Sequence, residues 1–228
     1  MKELFNKYGL EITEKQLYQF KKYYELLVEY NQKFNITAIT EKEQVYIKHF
    51  IDCLLGIDFI ESGSVKLIDV GSGGGFPAIP IKIMREDIEL TMLEATGKKC
   101  EFLRVVCEEL KLNNVTVVND RAEIKAKDEN FREKFDYCTA RAVARLNTLC
   151  EYCTPFIKKG GKFLAFKGDV NEELEESKNA FSVLNLKLED KKEFLLEDAK
   201  RCVLKILKTD FTNKKYPRGN GKERKNPL

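Results

Sequence analysis

The sequence predicts an α/β fold, a doubly wound and mostly parallel seven-stranded sheet preceded by a helical extension. Three observations carry this. Apolar runs of about six residues alternate with amphipathic stretches of about ten to fifteen, the pattern of strands joined by crossover helices. The first such run ends in a glycine cluster, Gly71-Ser72-Gly73-Gly74-Gly75. The chain has 228 residues, 43% of them apolar and 34% charged, so it can bury a large core without staples.

Element by element, Thr13 is placed to cap a helix through Asn31, with Leu17, Phe20, Tyr24, Leu27 and Val28 at helical spacing. A second periodic stretch, Val45–Ile60, holds one or two more helices. VKLIDV (residues 65–70) is the first strand, and Pro77 opens a helix after the glycines. Strands are expected at 89–95, 114–120, 135–141 and 161–166. Helices are expected at 98–112, 146–157 and 172–184. Residues 186–208 read as two more strands around a charged turn. The chain thus divides into a helical extension (1–62), a sheet domain (63–211) and a basic tail (212–228).

Composition narrows the class further. The longest apolar runs, such as Ile79–Met84, fall well short of the ~20 residues a membrane span needs. MKELFNKYGLEITEKQ has no apolar targeting core, and seven cysteines form no regular framework. A cytoplasmic protein with reduced thiols is expected. The tail concentrates Lys214, Lys215, Arg218, Lys222, Arg224 and Lys225 against Glu223 alone, a net +5 in a chain whose total is +3. Charge gathered at one end points to an anionic partner or to a solvated, frayed terminus.

In a doubly wound sheet, ligands bind beyond the carboxyl ends of the strands, so the residues after each strand are the candidates. Glycines at 71 and 73 let the backbone turn and let a ligand approach without Cβ interference. The spacing is G-x-G-x-G with Asp69 two places before it, unlike the G-x-G-x-x-G of dinucleotide sites. Glu94 closes the second strand, where a carboxylate meets ribose hydroxyls in nucleotide sites. Arg121-Ala122-Glu123 follows the third strand, placing an amide and a carboxylate where an adenine edge is read.

These features resemble the class I S-adenosyl-L-methionine-dependent methyltransferases. LLVEYNQKFNITAIT (26–40), HFIDCL (49–54), DVGSGGGFPAIPI (69–81), RAE (121–123), FDYCTARAVARL (135–146), FLAFKG (163–168) and YPRGNGKERKNPL (216–228) follow in order. Together they are similar to the small-subunit (16S) ribosomal RNA guanine-N7 methyltransferases, the glucose-inhibited division protein B (GidB) family. The resemblance implies methyl transfer from S-adenosyl-L-methionine to a guanine N7 of 16S rRNA. It implies cofactor contacts at Gly71, Phe76, Ala122, Glu123 and Arg141. It also implies RNA contacts in the tail, from Lys214, Lys215, Arg218, Arg224 and Lys225, with Tyr216 stacking on a base. Ala78, Cys53, Tyr30 and Glu223 depart from the residues usual in the family.

Guanine N7 carries a free lone pair, so no general base is expected and no catalytic side chain is assigned. There is no Pro-Cys pair for cytosine-carbon methylation, and the loop after the fourth strand is Thr139-Ala140-Arg141-Ala142, not an amine-methylating Pro-Pro loop. The one histidine, His49, reads as a hydrogen-bonded core or interface residue, and the Cys150/Cys153 and Cys100/Cys107 pairs read as packing, with no metal site. A small-molecule methyltransferase and a non-catalytic ribosome-assembly factor remain alternatives. The first leaves the basic tail without a purpose, and the second leaves the intact loop and Glu94 without one.

Overall fold

The computed structural model describes residues 1–228. The chain opens with helices α1 (Lys2–Lys7) and α2 (Glu14–Asn31). Thr13 and Gln16 cap α2 reciprocally, each side chain accepting from the other's backbone N–H, an arrangement contributing about 1 kcal/mol. The second periodic stretch is one winding run: α3 (Lys42–Val45), a π-helical turn (Tyr46–Ile51) and α4 (Asp52–Leu54).

The sheet contains β1 (Lys66–Val70), β2 (Glu89–Glu94), β3 (Val115–Asn119), β4 (Phe135–Arg141), β5 (Ile157–Lys167), β6 (Leu186–Leu196) and β7 (Ala199–Lys208). Its order is β3-β2-β1-β4-β5-β7-β6. The first five strands run parallel, and β7 is antiparallel to both neighbours. Helices α5 (Ala78–Met84), α6 (Gly97–Glu109), α7 (Ala122–Lys125), α8 (Leu146–Cys153), α9 (Asn171–Glu176), α10 (Lys178–Val183) and α11 (Lys222–Lys225) complete it.

Three expected boundaries shift for local reasons. Helix α8 stops at Cys153 because Pro155 cannot continue it, and β5 begins at Ile157. The helix expected over 172–184 breaks at Ser177, whose hydroxyl donates to the Glu173 carbonyl. Ala122-Glu123 lies in the short α7 and not in an open loop.

Period-2 alternation splits the core in two. Leu67, Leu90, Met92, Tyr137 and Leu164 face one side, joined there by Phe20, Tyr23, Leu27 and Phe50 from the first 62 residues. Ile68, Leu93, Cys138, Phe163 and Leu204 face the other, packed by α8 and α10. Arg141 shares the register of Tyr137, so its side chain leaves β4 toward the N-terminal helices.

The tail is not a solvated, frayed terminus, one of the two readings its charge allows. Tyr216 is 6% exposed and belongs to the α8-side core. Arg132 donates to the carbonyls of Thr212, Asn213 and Tyr216. Arg218 makes a bidentate pair with Glu151, whose side chain is fully buried. Glu223 is buried too, accepting from the Gly219 N–H, so it adds no charge to an outer face.

Candidate cofactor cleft

Each strand of the β1–β4 set ends at the same edge, and the glycine loop crosses it. The amides of Gly71 and Ser72 donate to the Leu93 carbonyl at 2.8 and 3.2 Å, fastening the loop to β2. Gly73 has a φ of 57°, and a Cβ there would meet only the Gly71 carbonyl oxygen, at 3.8 Å, an ordinary van der Waals contact. Gly75, at φ 91°, has no such room: a Cβ would press on Ile79 and on the Tyr23 hydroxyl. The loop is therefore open on one side and packed on the other.

Glu94 lies beneath the loop and not in open cleft, at 7% exposure. One oxygen accepts from the Gly73 N–H at 2.9 Å and the other from the Thr96 N–H at 2.8 Å. A carboxylate has about four acceptor sites, so these bonds leave capacity for a ligand hydroxyl.

A cavity of about 270 Å³ opens beside the loop. Gly71, Ala122 and Glu123 line it, as do three residues the sequence reading did not single out there, Val143, Tyr152 and Arg224. Arg121 pairs with Glu123 at 2.7 Å on its rim.

Arg141 lines a second cavity of about 330 Å³, together with Lys48, His49, Asp52, Lys167 and Arg201. It donates to Asp52 at 2.8 Å, to the Lys48 carbonyl at 3.0 Å and to His49 Nδ1 at 3.0 Å. Its guanidinium stands 5.0 Å from the Phe76 ring, which stacks on His49 at 4.5 Å. Arginine cannot give up its charge or accept a hydrogen bond. His49 Nδ1 is therefore the acceptor, and Nε2 carries the hydrogen that reaches Thr37 Oγ1 at 2.8 Å. Burial first, and Arg141 second, lower the His49 pKa to about 4. His49 is thus a neutral, oriented group, the hydrogen-bonded residue expected of a lone histidine here. His49 and Asp52 sit three residues apart at the π-helical turn, a spacing visible in HFID but uninterpretable without Arg141.

The structure therefore brings Gly71, Ala122 and Glu123 to one cavity and sets Arg141 on the other. Phe76, with Gly73 on the loop and Glu94 at the end of β2 beneath it, belongs to the layer around the glycines. Lys214, Lys215 and Lys225 are exposed, whereas Tyr216 and Arg218 are spent on internal contacts.

Asp69 sits at the foot of this layer. Its Oδ1 accepts from Thr139 at 2.6 Å, while the buried Oδ2 has no partner. Burial raises its pKa to about 7, the Thr139 and Ser72 hydrogen bonds and Arg141 acting against it. An unpartnered carboxylate oxygen under a glycine turn fits a ligand bearing an ammonium group, and the neighbouring cavity fits a purine nucleoside. S-adenosyl-L-methionine has both parts.

A family model described as rRNA small subunit methyltransferase G (GidB) matches residues 16–202. The chain is 45% identical to the ribosomal RNA small subunit methyltransferase G of Acetivibrio thermocellus, over 97% of this chain and 92% of that protein. It is also 45% identical to the protein of the same name from Lactobacillus johnsonii, over 97% and 95%. Among solved structures, a ribosomal protein L11 methylase of Lactobacillus delbrueckii shares the fold with a TM-score of 0.56 at 15% identity, covering 72% of this chain and 79% of that one. The matched motifs run through the glycine loop, Arg121–Glu123 and Arg141, and on this ground the chain belongs to the GidB family of small-subunit rRNA methyltransferases, whose methyl donor is S-adenosyl-L-methionine.

Proposed function

We propose that this protein methylates N7 of one guanine in 16S rRNA, in the cytoplasm, with S-adenosyl-L-methionine held across the tips of β1–β4. The observation that carries the reading is the glycine loop with Asp69 Oδ2 unpartnered below it and a nucleoside-sized cavity beside it. Gly71, Gly73 and Phe76 hold the methionine side, Glu94 the ribose, and Ala122 with Glu123 the adenine.

When bound, the cofactor supplies an electrophilic methyl group, whose acceptance by the N7 lone pair requires no proton removal. The protein's work is then to orient two partners and keep water out, worth roughly 7–11 kcal/mol in favourable cases. Arg141 is unsuited to sit against N7, where its charge opposes the cation that forms. Locked to Asp52 and His49 and set against the Phe76 ring, it instead holds the lining of the larger cavity in place beside the cofactor layer. The 330 Å³ cavity, rich in cations, is where the RNA nucleotide enters. Exposed Lys214, Lys215 and Lys225 hold phosphates farther along the strand, with salt-dependent affinity.

The test is transfer of a labelled methyl group to small-subunit rRNA, free and within the 30S particle, followed by borohydride and aniline treatment. Label at a single guanine with strand scission there supports the reading. Label on an exocyclic amine, on ribose, or nowhere in the RNA contradicts it.

A further inference from the structure

We propose that the C-terminal segment is a wall of the cofactor cavity, with Arg224 a binding residue for the purine end of the nucleoside. The proposal rests on reading the 270 Å³ cavity as the adenosine site, and it extends that reading to a segment otherwise charged with RNA contact.

Three sides of this cavity come from the strand tips and Tyr152 of α8. The remaining side comes from Gly221 and Arg224, at the far end of the chain. That side is fixed in place. Gly219, Asn220 and Gly221 all adopt left-handed backbone angles, with φ of 78°, 57° and 73°, a compact turn suited to Gly and Asn. Glu223 closes the turn by accepting from the Gly219 N–H, and its own carbonyl accepts from Thr148 Oγ1 at 3.0 Å. Arg218 anchors the approach through buried Glu151.

Arg224 itself has no carboxylate within ion-pairing distance, in contrast to Arg121 across the rim, which is paired with Glu123. Its contact with the backbone is a long one, 3.5 Å to the Val143 carbonyl, and its side chain also lies against the Tyr152 hydroxyl, another lining residue. A planar, unpaired guanidinium at the mouth of a purine-sized cavity is suited to lie against a heteroaromatic ring and to donate to its nitrogens. Lys222 and Lys225, in the same short helix, do not line the cavity.

Calorimetry on the full chain decides it, with S-adenosylhomocysteine and 5′-methylthioadenosine, which keeps the purine but lacks the amino acid. Arg224→Ala and Arg224→Gln should each weaken both ligands about 5- to 20-fold, and Lys222→Ala, the same loss of charge, should change neither by more than about twofold. Melting curves of the variants should match the parent. If the parent binds neither ligand, the adenosine reading fails. If the parent binds and the Arg224 variants bind equally well, or lose only S-adenosylhomocysteine, or Lys222→Ala loses as much, the proposal alone is overturned.

Discussion

Tyr23, midway along α2, donates its phenol hydrogen to the carbonyl oxygen of Gly74, in the middle of the glycine loop. The contact ties the N-terminal helices to the cofactor layer, and Tyr23 also stacks on Phe50 at 5.0 Å. Tyr23→Phe keeps the ring but leaves a buried carbonyl without its donor. The expected cost is about 1–3 kcal/mol in urea denaturation, with a parallel loss of S-adenosylhomocysteine affinity. Unchanged stability and affinity would show that the hydroxyl is idle.

The Arg141–His49 bond has a pH signature. A histidine held near pKa 4 in the fold and near 6.5 when unfolded binds more protons unfolded between those values. Its contribution is present above about 6.5 and is lost as pH falls through about 4. His49→Gln should remove on the order of 1–3 kcal/mol of acid sensitivity in that window. The check is the difference in unfolding free energy between pH 7.5 and 4.5, parent against variant.

Asp69 titrates in the opposite sense. Raised to about 7 by burial, it is neutral in more acidic solution and cannot pair with an ammonium group there. Affinity for S-adenosylhomocysteine should rise as pH increases toward 7, by up to about tenfold per unit, and level off above. Affinity for 5′-methylthioadenosine, without the ammonium, should stay flat. Asp69→Asn should abolish the dependence, and a slope that survives the substitution would place it elsewhere.

The cations of the tail divide by their partners. Arg218→Ala strands the buried Glu151 charge and should cost about 3–5 kcal/mol. Lys214→Ala, Lys215→Ala and Lys225→Ala leave nothing buried behind, so their melting temperatures should match the parent. Each should instead lower the slope of log affinity against log salt for rRNA by about 0.7. Equal slopes would mean that the tail lysines do not meet phosphate.

What could be read beforehand follows from the range of each interaction. Strand β4 was legible to the residue, 135–141, because a short run buried on both faces between two parallel neighbours is a local pattern. The glycine loop was legible for the same reason, its backbone demands being written into five consecutive residues. The Arg141–His49 and Arg218–Glu151 bonds join residues 92 and 67 positions apart, and no periodicity marks such pairs. The tail misled because composition reports charge and not direction. Tyr216 and Glu223 turn inward among the cations, and the partners that draw them in, Arg132, Thr148 and Gly219, lie in other parts of the sequence or act through the backbone.

The central claim is that the open side of the glycine loop receives the cofactor, and Gly73 tests it most directly. Gly73→Val places a branched side chain on that side, where a Cβ meets only the Gly71 carbonyl oxygen at 3.8 Å, at a backbone cost of about 1–2 kcal/mol from the positive φ. Calorimetry with S-adenosylhomocysteine should show one site per chain in the parent and at least a thirtyfold loss in a variant whose circular dichroism is unchanged. Parent-like binding by a folded Gly73→Val protein would contradict the account.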